Sequence, residues 1–343
     1  MVEAAAAHAA ATTAAGPGPV AVLAVDGGNS KTDVALVAPD GRVLGAARTG
    51  PGSYHAVGMR QMLATIAEGR RLAAAAAGLN EAGTHAAVGV YCLAGADLPL
   101  DDRRLRSALR RAGLADRTIV RNDAFAGLRA GATAGFGISI VLGTGMNCAG
   151  VGRTGRVARF ASLGALSGDE GGGGDLVVRA VAATVRARDG RSPRTTLERI
   201  LPQAAGVRRP QDLLTEVRLG RVSELDLVAM APLVFGAAQD GDAVARRLVD
   251  WLADEAVLLG ASAIRRLGLA RAEVEIVLSG SIWKTTDTAF HDRVRAGLLA
   301  VAPRARIVRL DAPPVLGSIL LGLDALGAGD AALALARSTI ERN

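Results

Sequence analysis

Short apolar runs separated by glycine-containing polar turns are the dominant pattern along the chain. The first two runs, Ala21–Val25 and Val34–Val37, flank a polar turn that begins at Asp26. Runs this short, β-branched in character and bounded by turn residues, predict two buried strands. A third strand is predicted at Arg42–Ala47, after the turn at residues 39–41.

Helix and strand patterns alternate after this hairpin unit. Helices are predicted at Met59–Ala77 and Asp101–Ala112, each followed by a glycine that would close it. Strands are predicted at Ala86–Leu93 and Thr118–Val120. Three hairpin strands followed by this alternation predict a mixed α/β sheet.

The same pattern restarts near residue 138. A strand at Ile138–Leu142, the turn Gly143-Thr144-Gly145 and a strand at Met146–Val151 repeat the opening unit, with a weaker third strand at Gly155–Val157. The later predicted elements are a helical region over residues 174–270 with breaks near 191–193 and 208–210, strands at Glu273–Leu278 and Arg306–Val308, and helices at Ile319–Leu326 and Ala331–Glu341. Two halves that open alike predict a duplicated α/β fold with a ligand-binding cleft between them.

Composition limits the class of protein. With 343 residues, the chain is long enough for two domains, and its 50% hydrophobic content is raised by alanine. No run approaches the roughly 20 strongly apolar residues of a membrane span. Residues 1–19 are alanine-rich and lack the basic start and leucine-type core of a signal peptide. We therefore expect a disordered tail, no membrane partner and a cytoplasmic location.

The net charge of +7 and a pI near 10.5 predict attraction to anions. Aromatic residues make up only 3% of the chain, and the arginines are scattered without a dense basic tract, so nucleic acid is not the expected partner. A solvated arginine-rich surface or a phosphorylated small ligand fits better. Two cysteines, Cys92 and Cys148, and four histidines without metal-ligand spacing predict neither a disulfide scaffold nor a zinc site.

Glycine turns at the ends of apolar strands are the first candidate chemistry. They are Asp26-Gly27-Gly28, Gly143-Thr144-Gly145, Ser279-Gly280-Ser281 and, more weakly, Leu93-Ala94-Gly95. Successive N–H groups of such turns can hold an anion, although the first turn alone is equally typical of an ordinary β-hairpin. No P-loop or dinucleotide-binding fingerprint is present, so neither of those phosphate-binding motifs is predicted.

Acidic residues beside predicted turns are the second candidate chemistry. Asp123, between a strand and a helix, is interpreted either as a helix N-cap or as a general base, and the two roles are compatible. Asp169 and Glu170 lie in the glycine-rich segment Gly164–Asp175, where a carboxylate pair could bind sugar hydroxyls. The alternatives are a solvated loop or a glycosidase pair, and the second does not explain the phosphate-type turns.

Taken in order, these motifs resemble the sugar kinase, Hsp70 and actin ATPases, which have duplicated ribonuclease-H-like domains. Residues 26–32 resemble their first phosphate motif, Gly143-Thr144-Gly145 the second, and Ser279-Gly280-Ser281 the adenosine motif. Gly143–Cys148 together with Gly168–Gly171 is similar to N-acetylglucosamine kinases of the BadF/BadG/BcrA/BcrD ATPase family. The resemblance covers about residues 20–328 and implies an α/β fold with an interdomain cleft. The implied domains are 20–132, joined by a C-terminal helix at 328–343, and 133–327.

The resemblance implies a role for each matched residue. Asp26 would position hydrated Mg²⁺, and Asp123 would be the general base on the sugar hydroxyl. The implied ATP-binding residues are Gly27, Gly28, Asn29, Ser30, Lys31, Gly143, Thr144, Gly145, Gly280 and Ser281. The implied substrate-binding residues are Ser53, Asn122, Asp123, Thr144, Gly145, Gly164, Asp169 and Gly173.

Three positions depart from the family pattern. Asn29 replaces the usual third glycine, Ser53 stands where related kinases place an asparagine, and Ala94 stands where some place a serine. Ser53 and Ala94 bear on which sugar is bound. Cys92 and Cys148 do not match the iron–sulfur pattern of the family's other branch, the activators of acyl-CoA dehydratases and reductases.

The resemblance therefore implies an ATP- and Mg²⁺-dependent kinase that converts N-acetylglucosamine to its 6-phosphate, and a homodimer. Glucosamine or another hexose derivative is the alternative acceptor. A sugar-sensing regulator of the same fold and an ATPase that activates a partner enzyme are alternatives of other classes. ATP consumption that depends strictly on sugar would separate a kinase from both.

Overall fold

The structure, a computed structural model, describes residues 20–80 and 84–340. The predicted tail at residues 1–19 lies outside the described residues. Within them, no helix has the length and apolar character needed to cross a membrane.

The first half of the chain forms a five-stranded mixed sheet with helices on both faces. Its elements, in order, are β1 (Val22–Gly27), β2 (Thr32–Val37), β3 (Val43–Thr49), α1 (Tyr54–Ala76), β4 (Ala86–Leu93), α2 (Pro99–Ala112), β5 (Ala115–Asn122) and α3 (Asp123–Gly131). The apolar runs seen in the sequence are its central strands, since β1 and β2 are almost wholly buried.

The second half forms another five-stranded sheet, with a helical insertion between its third and fourth strands. Its elements are β6 (Gly137–Leu142), β7 (Met146–Val151), β8 (Val157–Arg159), α4 (Gly172–Arg188), α5 (Leu197–Ala204), α6 (Pro210–Arg218), α7 (Glu224–Val228), α8 (Ala231–Gln239), α9 (Ala243–Leu267), β9 (Glu275–Ser279), α10 (Thr288–Val301) and β10 (Arg306–Arg309). Two helices follow, α11 (Val315–Ala325) and α12 (Asp330–Ile340).

The two sheets have the same topology. The first has the order β3-β2-β1-β4-β5, and the second, read from its other edge, β8-β7-β6-β9-β10. In each sheet the central strand is antiparallel to the strand that follows it and parallel to the next strand inward in the chain order, so β1 pairs with β2 and β4 as β6 pairs with β7 and β9. The predicted duplicated α/β fold is confirmed.

Separate apolar cores support the halves. Leu23, Leu36 and Ile66 belong to a core between the first sheet and α1, while Val22, Leu316 and Leu320 belong to one on the sheet's other face. A larger core joins the second sheet to its helices, among them the 25-residue α9. Burial of these apolar side chains is the main favourable term holding the two sheets in place.

Several predicted boundaries differ from the structure. α1 begins at Tyr54, inside the predicted loop, and bends at Gly58, whose φ is +79°. β5 is eight residues long rather than three because it is an edge strand whose exposed, charged positions weaken the apolar pattern. α10 was not predicted, although Phe290, Val294 and Leu298 recur at helical spacing and are buried.

The C-terminal helices pack against the first sheet. Leu316, Ile319 and Leu320 of α11 and Ala336 of α12 share a core with Val22 and Ala24 of β1. α11 therefore associates with the first half ahead of residue 327, where the sequence analysis ended the second domain. The exact domain boundary stays a prediction.

Candidate active site

A cleft of about 600 Å³ lies where residues of both halves meet at the carboxyl ends of the parallel strands. This is the usual position of ligand sites in α/β sheets. Twelve of the predicted site residues line it: Asp26, Gly28, Asn29, Ser30, Lys31, Ser53, Asp123, Gly143, Thr144, Gly145, Gly280 and Ser281. Five others, Gly27, Asn122, Gly164, Asp169 and Gly173, lie behind this wall.

The β1–β2 turn is held by backbone hydrogen bonds that leave its tip exposed. The Gly28 N–H donates to Lys31 O at 2.8 Å, and the Ala94 N–H donates to Gly27 O at 2.8 Å. A Cβ at Gly27 would lie 2.7 Å from the Leu93 side chain, which explains why glycine is needed there. Asn29 and Ser30, at the exposed tip, face the cleft.

A buried carboxylate anchors the cation of this turn. Asp33 is 6% exposed and pairs with Lys31 Nζ at 3.2 Å and with Arg48 Nε at 2.6 Å. The Lys31 side chain stays 46% exposed, so its ammonium is positioned without being removed from the cleft. Such a fixed, partly solvated ammonium is suited to an anionic ligand.

The second glycine turn is fastened by the N-terminus of α4. Gly173 N–H donates to Gly143 O and Gly174 N–H donates to Thr144 O, both at 2.8 Å. Gly172 has a φ of +88°, and a Cβ there would lie 2.4 Å from the carbonyl carbon of Gly145. The glycine run at 171–174 thus lets a helix end touch the turn, a role that the sequence analysis missed.

The third turn needs its glycine for a similar reason. Gly280 follows β9 with a φ of +112°, and a Cβ there would lie 2.2 Å from Leu142 O. This contact sets the residues after β9 directly against the end of β6, next to Gly143. Two glycine turns of the second sheet therefore form one continuous wall.

Asn122, not Asp123, is the N-cap of α3. The Asn122 side chain accepts a hydrogen bond from the Ala124 N–H at 2.9 Å, and Asp123 is the first helical residue. The N-cap interpretation of Asp123 is therefore wrong. Its carboxylate is left half-buried in the cleft, where burial raises its pKa to about 6 and nearby backbone N–H groups oppose that rise.

Asp97 is a cleft carboxylate that the sequence analysis did not single out. Its Oδ1 accepts hydrogen bonds from Asn122 Nδ2 at 2.7 Å and from Asn147 Nδ2 at 3.0 Å. Burial and the charge of Asp123 raise the pKa of Asp97 to about 7. Asn122 belongs to the first half and Asn147 to β7, so this carboxylate is held from both sheets. The only available sequence signal was the weak turn at residues 93–95.

Asp26 lies at the end of β1, opposite Asp33 and beside Cys92 in the sheet register. Burial, followed by the charges of Asp123 and Asp33, raises the pKa of Asp26 to about 8. Repelling carboxylates of this kind are stabilised by a cation. The oxygen donors suit Mg²⁺, which takes one or two carboxylates and keeps water or phosphate oxygens for the rest. The described residues contain no metal-binding group of three or more His, Cys, Asp or Glu side chains.

Asp169 and Glu170 are engaged within the protein. Asp169 is 5% exposed and accepts hydrogen bonds from the Ser162 N–H at 2.8 Å and from Ser167 Oγ at 2.5 Å. Glu170 pairs with Arg179 at 2.9 Å. The carbonyl of Gly164 accepts N–H groups from the same loop. Asp169 therefore fixes a loop rather than lining the cleft.

That loop presents Ser162 to the cleft. Ser162 has a φ of +51°, and no other non-glycine residue in the described part of the chain has a positive φ. Its Oγ is buried and has no hydrogen-bond partner among the residues that the structure describes. A strained residue with an unsatisfied hydroxyl at a cleft is typical of a ligand-binding position. Nothing in the sequence pattern marked it.

Comparison with protein families gives one match across most of the chain. The model of the BadF/BadG/BcrA/BcrD ATPase family matches residues 23–322. The matched range includes all three glycine turns and the carboxylates Asp26, Asp97 and Asp123.

Curated relatives and a solved structure are similar over nearly their whole length. An N-acetylmuramic acid/N-acetylglucosamine kinase of Clostridium acetobutylicum is 25% identical over 303 residues, covering 88% of this chain and 97% of the relative. An N-acetyl-D-glucosamine kinase of Dictyostelium discoideum is 28% identical over 313 residues, with the same coverages. The structure of a candidate N-acetylglucosamine kinase from Chromobacterium violaceum, 24% identical, matches with a TM-score of 0.69 over 89% of this chain and 100% of its own.

Proposed function

This chain belongs to the BadF/BadG/BcrA/BcrD ATPase family, and we propose that it is an ATP-dependent kinase that phosphorylates N-acetylglucosamine on its 6-hydroxyl. The observation that carries the proposal is the single cleft in which glycine turns from both sheets face Asp123. The names of the two curated relatives support an amino sugar as the acceptor.

The glycine turns form the phosphate side of the proposed site. Backbone N–H groups near Gly28 and Gly143–Gly145 and the Lys31 ammonium bind the β- and γ-phosphates of ATP, while Gly280 and Ser281 contact the adenosine. Asp26 holds hydrated Mg²⁺, which neutralises phosphate charge when it is bound with ATP. Displacement of a proton from Asp26 by the cation relieves the repulsion that raises its pKa.

Asp123 is the proposed general base. Its carboxylate accepts the proton of the sugar hydroxyl as the hydroxyl oxygen bonds to the γ-phosphorus and the bond from that phosphorus to the β,γ-bridging oxygen breaks. The proton ends on Asp123, and ADP leaves with the bridging oxygen. A pKa of about 6 suits this role, because the carboxylate is ionised near neutral pH yet is a stronger base than an ordinary aspartate.

Polar groups opposite the phosphate side form the proposed sugar site. The free oxygen of Asp97, the backbone and side chain of Ser53 and the unsatisfied hydroxyl of Ser162 bind the sugar. Asn147 orients Asp97. Asp169, Gly164 and Gly173 act indirectly, because they fix the 162–169 loop and the turn at 143–145.

The test is sugar-dependent ATP consumption by the purified protein over a panel of N-acetylglucosamine, N-acetylmuramic acid, glucosamine, glucose and no sugar. We expect the highest kcat/KM with N-acetylglucosamine and a product whose phosphorus is on the 6-oxygen. Equal ATP consumption without sugar would contradict the kinase and favour an activating ATPase. Tight sugar binding without ATP consumption would favour a sensor. A homodimer and a cytoplasmic location stay predictions.

A further inference from the structure

A second cavity, of about 710 Å³, lies behind the catalytic cleft and shares no lining residue with it. It is framed by α3, the loop at residues 132–136, β7, β8, α9 and α11. Its apolar lining comes from Phe125, Leu128, Phe136, Val151 and Leu321. The volume falls in the range of small-molecule sites, about 300–1,000 Å³.

The polar lining is strongly cationic. Arg121, Arg129, Arg159 and Arg266 face the cavity, against one lining carboxylate, Asp324. Arg129 forms two hydrogen bonds to Asp324, at 2.7 and 2.9 Å, and Arg159 pairs with Asp102 at 2.7 Å.

The remaining two arginines leave positive charge uncompensated. Among residues 20–80 and 84–340, neither Arg121 nor Arg266 has a carboxylate partner. Arg121 donates to its neighbour's carbonyl, Val120 O, and Arg266 donates to Arg159 O and stacks over Phe160 at 5.0 Å. An apolar cavity with two uncompensated guanidinium groups at its wall is complementary to a molecule with an apolar body and an anionic head.

We propose that this cavity binds a small amphipathic anion, an acyl or aromatic molecule carrying one carboxylate, sulfonate or phosphate group. The apolar body lies against Phe125, Leu128 and Leu321, and the head lies between Arg121 and Arg266. Phe125 and Leu128 are on α3, the helix whose first residue is Asp123. The ligand therefore contacts the element that carries the cleft carboxylate.

The test uses 8-anilinonaphthalene-1-sulfonate, an aromatic anion whose fluorescence rises in apolar surroundings, with the wild-type protein and two variants at Val157. Val157 lines the cavity on the edge strand β8 and is 53% exposed, so a charge there alters the potential at the cavity with little effect on packing. Val157→Glu and Val157→Lys form a matched pair. Circular dichroism and melting temperature establish that both are folded. Each titration is done with and without saturating MgATP and N-acetylglucosamine.

We expect saturable binding to the wild type that persists with MgATP and sugar, a Kd at least fivefold weaker in Val157→Glu, and no weakening in Val157→Lys. Inorganic phosphate, which has no apolar body, should not displace the probe. Three results would overturn the proposal: no saturable binding, displacement by MgATP or sugar, or equal Kd values in the two variants. The second result would place the probe in the catalytic cleft.

Discussion

At the scale of single residues, the cleft brings Asp26, Asp97 and Asp123 into one another's electrostatic field. Burial and mutual repulsion raise the pKa of Asp26 and Asp97, and burial raises that of Asp123. A site built this way attracts cations and protons. Each carboxylate is therefore suited to a different task, according to what neighbours it.

The pH dependence of kcat/KM for the sugar tests the assignment of the base. Because Asp123 must be deprotonated to accept the hydroxyl proton, kcat/KM should rise with pH through about 6 and then level off. The measurement is made at saturating MgATP in the wild type and in Asp97→Asn, since Asp97 titrates nearby, at about 7. The rise should persist in Asp97→Asn. Its loss there would assign the titration to Asp97 instead.

Single-residue roles were predictable only where a motif marked them. The position of Asp123 after a strand was enough to propose it as a base, but its choice over Asn122 as N-cap required the Asn122–Ala124 hydrogen bond. Asp97, Asn147 and Ser162 gain their significance from partners 25 to 50 residues away or from backbone strain. Those relations depend on tertiary geometry that periodicity does not encode.

At the scale of elements, the contact between α4 and the Gly143–Gly145 turn determines the shape of the phosphate side. Gly172→Ala should raise the KM for ATP more than tenfold, because its Cβ would push against the Gly145 backbone at 2.4 Å. Gly168→Ala is the matched control, since Gly168 also has a positive φ, +72°, but open space around it. Both variants should lose about 1–2 kcal/mol of stability from backbone strain.

Steady-state kinetics and denaturant unfolding of the two variants check this expectation. A similar KM for ATP in Gly172→Ala and Gly168→Ala would mean that the turn does not depend on the helix contact. The sequence did reveal that residues 164–175 were unusual. It did not reveal that the glycines serve backbone contact, because that requires knowing which turn the helix end meets.

Element boundaries were predicted best where burial was complete. β1, β2, β4 and β7 are buried or nearly so, and their predicted ranges agree with the structure within one residue at most ends. The exposed edge strand β5 and the amphipathic α10 were shortened or missed. Their half-polar surfaces dilute the periodic pattern on which prediction depends.

At the scale of the whole molecule, equal topology in the two sheets follows from the repeated strand–turn–strand pattern that the sequence contained. The cleft between the halves was expected for that reason. Its bonds across the halves, Asp97–Asn147 and Asp102–Arg159, were not. Such pairs join residues of opposite halves, which a single sequence does not relate.

Crowded acidic groups in the cleft should also make stability depend on pH. The folded protein holds protons on Asp26 up to about pH 8, whereas an unfolded aspartate releases its proton near 3.9. The folded state therefore binds more protons between these values, and the free energy of unfolding should fall as pH rises through this window. Without ligands, the wild type should lose about 1–2 kcal/mol more than Asp26→Asn between pH 6 and 8.

Urea unfolding at the two pH values measures that difference. Equal losses in the wild type and Asp26→Asn would show that Asp26 is not held protonated. Saturating MgATP should reduce the pH dependence of the wild type, because Mg²⁺ would replace the proton beside Asp26.

The most direct test of the account is Asp123→Ala, assayed for N-acetylglucosamine-dependent ATP consumption and, in parallel, for ATP binding by calorimetry. The account predicts that kcat falls at least about 100-fold, in the range expected for loss of a general base. The Kd for ATP should stay within about twofold of the wild-type value, because the glycine turns and Lys31 are unchanged. Turnover near the wild-type rate in this variant would contradict the assignment of Asp123 as the base.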